Sequence, residues 1–208
     1  MSGRVLTQAA EIIVTAAGQI KAMLEKLDEQ LIKMLENSDN AVHDYSDDYY
    51  DKNEWLLSNT VYGYALKKKG KGKRKAYGQL GVHLVFYNET YSKNHGWEPT
   101  IFIFYAPGDD EFHLEDIDYI LGSNFICALD NRMWRWWKED EEKESTNAWM
   151  FAVPLVGINN EEDIKTKIVA PAKALLSDPE NSMAALTCDK SFLRFQWTGE
   201  TFSMSIFS

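Results

Sequence analysis

Between Arg4 and Asn37 apolar residues recur at steps of three and four: Leu6, Ala9, Ile13, Ala16, Ile20, Met23, Leu27 and Met34, with Gln30 as the one polar interruption. This spacing marks one face of a single long helix, and such a face has to be covered. A second row, Ile12, Ala17, Leu24, Leu31 and Leu35, widens the seam into a stripe. The stripe is broader than a two-stranded coiled coil needs and matches a helix lying across a sheet, so packing within the domain is expected, with a self-association seam as the alternative. On the first reading, a charge at Ile13 or Ile20 sits in the middle of a buried stripe and destabilises the fold. The opposite face carries Lys21, Glu25, Lys26, Glu29, Lys33 and Glu36 and is solvated. Gly18 weakens the helix locally and leaves room for a close neighbour. Asn37, Ser38, Asp39 and Asn40 are poor helix formers and end it.

The rest of the chain reads as the surface this helix needs. A length of 208 residues fits one substantial α+β domain, residues 1–208. Seven Trp, ten Tyr and ten Phe make an aromatic share that only a packed chain carries. Trp55–Leu66 and Ala76–Tyr87 read as two strands of a hairpin, with Gly70 and Gly72 at its tip. Both parities of the second strand are apolar, which predicts a central strand covered on two faces. Further strands are expected at Thr100–Tyr105, Phe125–Leu129, Arg132–Trp137 and Ala148–Ile158, where Pro154 argues for an edge or a bulge. Asp39–Glu54 reads as a connection. Helices are expected near 114–121 and 160–176, the second capped by Asn160 and disturbed at Pro171, with a shorter helical piece at Pro179–Leu186. A closing hairpin joins Ser191–Trp197 to Thr201–Phe207. The fold class is therefore a long amino-terminal amphipathic helix (1–38) packed on a mostly antiparallel, meander-like sheet of about six to eight strands (55–208), with two or three smaller helices.

Charge is uneven. Lys67, Lys68, Lys69, Lys71, Lys73, Arg74 and Lys75 supply seven of the 22 basic side chains, so the formal net charge of −10 hides a body near −17 with one basic projection. Such a body repels nucleic-acid phosphates, and only the hairpin tip attracts them. Tyr64 and Tyr77 are placed to stack bases beside that tip.

Cys127 and Cys188 are too few for a disulfide framework and lie in no zinc-binding pattern, which suggests buried thiols in a reducing cytoplasm. The amino-terminal helix carries Glu11 where a secretory signal would be uniformly apolar, and no apolar run reaches membrane-spanning length. No membrane partner is expected. His113, Glu115, Asp116 and Asp118 match no metal-loop spacing and read as a solvated helix start. The run Arg132–Trp137 reads as a Trp-rich core or sheet surface, where Arg132 or Arg135 can make cation–π contact with the indoles, and Glu139–Glu144 as a solvated turn. Dinucleotide, Walker and nucleophile-elbow patterns are absent from the sequence, so no catalytic residue, metal or cofactor is assigned. Catalytic groups assembled only by folding would escape motif reading, which leaves an enzyme as a further alternative.

Two functional expectations follow. The first is a non-catalytic, acidic, cytosolic interaction protein that binds and regulates or neutralises a partner protein, its aromatic side chains serving as anchors. The second is nucleic-acid binding through the basic hairpin tip 67–75.

Overall fold

The computed structural model describes residues 3–38, 40–45, 59–70, 76–85, 99–107, 126–130, 133–137, 148–178, 186, 193–197 and 202–206. Helix α1, Gly3–Glu36, is one unbroken 34-residue element. Beyond it run β1 (Asn40–Tyr45), β2 (Asn59–Lys68), β3 (Gly78–Val85), β4 (Thr100–Pro107), β5 (Ile126–Asp130), β6 (Met133–Trp137) and β7 (Ala148–Pro154). A short 3-10 turn, Leu155–Gly157, leads to α2 (Glu161–Ile164), a π turn (Lys165–Val169) and α3 (Ala170–Ser177). Strands β8 (Leu193–Trp197) and β9 (Phe202–Ile206) close the chain as a separate antiparallel pair. The expected α+β class and antiparallel pairing are present. The expected helix at 114–121, the segment Trp55–Ser58, and all but Leu186 of the piece at 179–186 lie outside the described residues.

The large sheet has the order β1-β2-β3-β4-β7-β6-β5, with every neighbouring pair antiparallel. It is two meanders joined in the middle. Strands β1 to β4 step across in chain order, and β5 to β7 step back from the far edge until β7 pairs with β4. Alternation along the strands sends Tyr62 and Tyr64 of β2, Leu80, Val82 and Leu84 of β3, Ile101, Ile103 and Tyr105 of β4, and Trp149, Phe151 and Val153 of β7 to one face. That face is the core. Leu24, Leu27, Leu31, Met34 and Leu35 of α1 cover it, joined by Ile164, Ile168, Ala172 and Leu175 of the second helical segment. Trp149 stacks near Phe151, centroids 6.0 Å apart, and lies 5.9 Å from Tyr105, forming an aromatic row on this face.

Two polar bonds fix the helix on its bed. Tyr64 Oη donates to Asp28 Oδ1 at 2.5 Å, and Gln30 Nε2 donates to Glu161 Oε1 at 3.0 Å. The polar interruption of the seam is thereby satisfied where it is buried. Strand β3 is buried on both faces, as its double apolar parity predicts. Its glycines are required by ring packing. A Cβ at Gly81 would lie 1.9 Å from the Phe104 ring on one face, and one at Gly78 2.6 Å from the Tyr105 ring on the other.

Three expectations are corrected. The segment after α1 is no mere connection, because Asn40–Tyr45 pairs with β2 from Asn40↔Lys68 to Tyr45↔Gly63. Its Asn, His and Asp residues carry little β propensity, and the backbone ladder sets its conformation. Strand β7 is no edge strand: it lies between β4 and β6. Pro154 is tolerated because the β6 ladder spans Ala148 to Met150, so the proline needs to satisfy only the β4 side. The third concerns α1, whose expected burial along its whole stripe holds only in the carboxyl-terminal half.

The second helix starts as expected, with the Asn160 side chain accepting from Asp163 N. Pro171 is accommodated through the π turn rather than a break. Ala170 N–H bonds back to Lys165 O, five residues away, which lengthens the turn just ahead of a residue that lacks an N–H and crowds the preceding carbonyls.

Leu31→Ala should cost about 2–5 kcal/mol by leaving a cavity under α1, whereas Val14→Ala should change stability by less than about 0.5 kcal/mol. Gly81→Ala should cost about 1–3 kcal/mol through overlap with Phe104. Urea unfolding of the three variants checks all of these.

Candidate protein interface

Helix length creates the site. Thirty-four residues extend about 51 Å at 1.5 Å per residue. Strands of eight residues span about 26 Å, and seven strands side by side about 29 Å. The helix outlasts its bed in any orientation. Its buried positions begin at Leu24, with Ile20 and Met23 partly buried against the core, and every residue from Arg4 to Thr15 is exposed.

The overhang nevertheless continues the same apolar stripe. At 100° per residue, Leu6, Ala9, Ile13, Ala16 and Ile20 fall on the azimuth that Leu24, Leu27, Leu31, Met34 and Leu35 use against the sheet, and Val5 and Ile12 lie along its edge, in line with Met23 and Gln30. Exposure reaches 49% at Val5, 57% at Leu6, 69% at Ile12, 38% at Ile13 and 64% at Val14. Between Gly3 and Ile20 the charged side chains are Arg4 and Glu11, both on the far side of the helix from the stripe. The exposed face of the anchored half is different in kind, with surface pairs such as Lys26 to Glu29 at 2.6 Å and Lys21 to Glu25 at 3.9 Å.

The basic hairpin tip divides. Lys67 and Lys68 end β2, opposite Ala41 and Asn40 of β1. Lys69 reaches back to the end of α1, where its Nζ donates to Glu36 O and Ser38 O at 2.6 Å each. A cation at a helix carboxyl terminus satisfies orphan carbonyls and complements the macrodipole, so this lysine has structural work. Lys71, Lys73, Arg74 and Lys75 lie outside the described residues, as do His113, Glu115, Asp116 and Asp118. Tyr64 and Tyr77 are not a matched stacking pair. Tyr64 is buried under α1 and holds Asp28, while Tyr77 packs against the edge of the core. Among the described residues no group of three or more His, Cys, Asp or Glu converges to hold a metal ion.

On the sheet face away from α1, His83 is buried beside Phe102, ring centroids 6.4 Å apart, and among the described residues its Nε2 has no hydrogen-bond partner. Burial lowers its pKa from 6.5 to about 4, so the imidazole is neutral in the folded protein. On the other face, burial raises the Tyr105 hydroxyl to about 12, which keeps it protonated. Around α2, the Lys167 ammonium, 2.7 Å from Asp163 and donating to Gly157 O, holds the Asp163 carboxyl below its usual range.

Comparison of the chain with protein-family models, with curated proteins and with solved structures finds no match. Among the described residues no helix is long and apolar enough to cross a membrane.

The overhang was in reach of sequence reasoning. The periodicity identified the stripe, and the ratio of helix length to strand length carries the further information that part of it must project.

His83 makes stability depend on acid. Its folded pKa lies below its unfolded value, so the unfolded chain binds the extra proton and stability falls as pH drops from about 6.5 toward 4, by up to an order of 3 kcal/mol. Replacing it with Leu should flatten that part of the curve. Denaturant midpoints measured at several pH values for the wild type and His83→Leu check this, and identical slopes would contradict the assignment.

Proposed function

We propose that this protein is a non-catalytic interaction protein that binds and regulates a partner protein, with the overhanging half of α1 as its contact surface. The observation that carries the reading is the exposed run of large apolar side chains from Val5 to Ile13, continuous with a stripe that is core at its other end. Contiguous apolar surface of several hundred Å² on a folded chain marks a site of association. The acidic body, near −17 outside the basic tip, disfavours non-specific contact with nucleic acid and other acidic surfaces. The near-neutral overhang leaves recognition to shape and apolar burial. A cytosolic setting accords with the two cysteines and their lack of any disulfide pattern.

The reading is tested by immobilising three forms of the chain at two salt concentrations: the wild type, Ile13→Asp, and a variant with Lys67, Lys68, Lys69, Lys71, Lys73, Arg74 and Lys75 changed to Ser. The wild type should retain a stoichiometric protein partner, whether another protein or its own chain. The serine variant should retain it too, and Ile13→Asp should lose it by at least tenfold in affinity, a loss of about 1.4 kcal/mol or more. Salt-sensitive retention of nucleic acid that disappears in the serine variant would instead support the basic tip. Recovery of no partner in any form would contradict the proposal.

A further inference from the structure

We infer that the occupant of the overhang is the overhang of a second copy of this chain, laid antiparallel against it. The inference rests on the reading of α1 as a contact surface and names what covers it.

The seam alternates large and small. Leu6, Ile13 and Ile20 recur every seven residues, and Ala9 and Ala16 sit between them. In a parallel, in-register pair, Ile13 would meet Ile13 and Ala16 would meet Ala16, so wide and narrow layers would alternate and neither would pack to normal density. In an antiparallel pair the two kinds of position face one another. Ile13 then meets Ala16 of the other copy and Ile20 meets Ala9. The end layers place Leu6 against Met23, which is only partly covered by its own core. Every layer follows from one offset, and each contact occurs twice, as a two-fold axis requires. The overlap from Leu6 to Met23 is about 27 Å long and stops where the sheet begins to bury α1, at Leu24.

Three further observations point the same way. Val5, Leu6, Ile12 and Ile13, on or beside the seam, present roughly 400 Å² per chain, so pairing two overhangs removes about 800 Å² from these side chains, and Ala9, Ala16 and Ile20 bring it toward the roughly 1,000 Å² of a specific interface. The overhang contains Thr7, Ile12, Ile13, Val14 and Thr15, residues of modest helix propensity, and a stretch this short gains little from propensity alone. Packing is what such a helix needs. Finally, the antiparallel arrangement sets the two acidic bodies at opposite ends of the helix pair, whereas a parallel one would bring them side by side and add their repulsion.

Sedimentation equilibrium of the full chain from low to high micromolar concentration is the test, run on the wild type, on Ile13→Asp in the centre of the seam, and on Val14→Asp on the flank of the helix. Ile13 and Val14 are both exposed in the single chain, so near-ultraviolet dichroism should show all three folded. The wild type and Val14→Asp should dimerise, and Ile13→Asp should raise the dissociation constant at least tenfold. A wild type that is monomeric throughout overturns the inference. So does a dimer that survives Ile13→Asp, since the contact then lies elsewhere. Loss of partner capture with Ile13→Asp by a monomeric wild type would overturn the second copy as occupant and leave the contact surface standing, which separates the two claims. Orientation is read by a spin label at residue 4 introduced as a non-natural amino acid: a separation above about 30 Å supports the antiparallel pair, and one below about 20 Å overturns it.

Discussion

Everything in this fold depends on covering the apolar stripe of one helix. The stripe between Leu24 and Leu35 is what turns an open antiparallel sheet into a closed core, because it supplies the layer above Tyr64, Leu80, Val82, Ile103, Trp149 and Phe151. Burial of that stripe is the dominant favourable term available to α1, and the two polar bonds through Asp28 and Gln30 set position more than strength. The same constraint explains the second helical segment. Ile164, Ile168, Ala172 and Leu175 finish the cover, and the π turn lets them share one face even though Pro171 interrupts the usual bonding.

The constraint also leaves a remainder. A helix about twice as long as the eight-residue strands beneath it cannot be covered along its whole length by the described sheet. The overhang keeps the azimuth of the buried stripe but drops the Leu-rich composition for alternating Ala and β-branched residues, and it sheds nearly all charge. Those features suit the proposed close contact with a second helix. On the proposed function, the acidic body serves solubility and the neutral arm serves association.

Much of this was legible in the residues. The stripe of α1, the β2–β3 hairpin, the doubly buried β3, the Asn160 cap and the terminal hairpin all follow from local periodicity and from turn or cap chemistry, which the chain encodes within a few positions. Strand order does not. The insertion of β7 between β4 and β6 is a non-local pairing, and neither its apolar run nor Pro154 reveals which neighbours it takes. Strand β1 escaped for a related reason, since NAVHDY is a strand because β2 offers it an edge. At the basic tip, composition suggested a ligand-seeking run, but it could not show that Lys69 closes the end of α1. The opposite failure occurred at Ile13, where periodicity implied burial and only the dimensions of helix and sheet show otherwise.

Hydrogen exchange along α1, followed as a function of protein concentration, tests the central claim most directly. Anchoring through one half predicts strong protection of the amides from Leu24 to Glu36 that does not vary with concentration, and protection between Val5 and Ala17 that rises with it as the overhangs pair. Equal, concentration-independent protection along the whole helix would mean that the stripe is covered within a single chain, and would contradict the account.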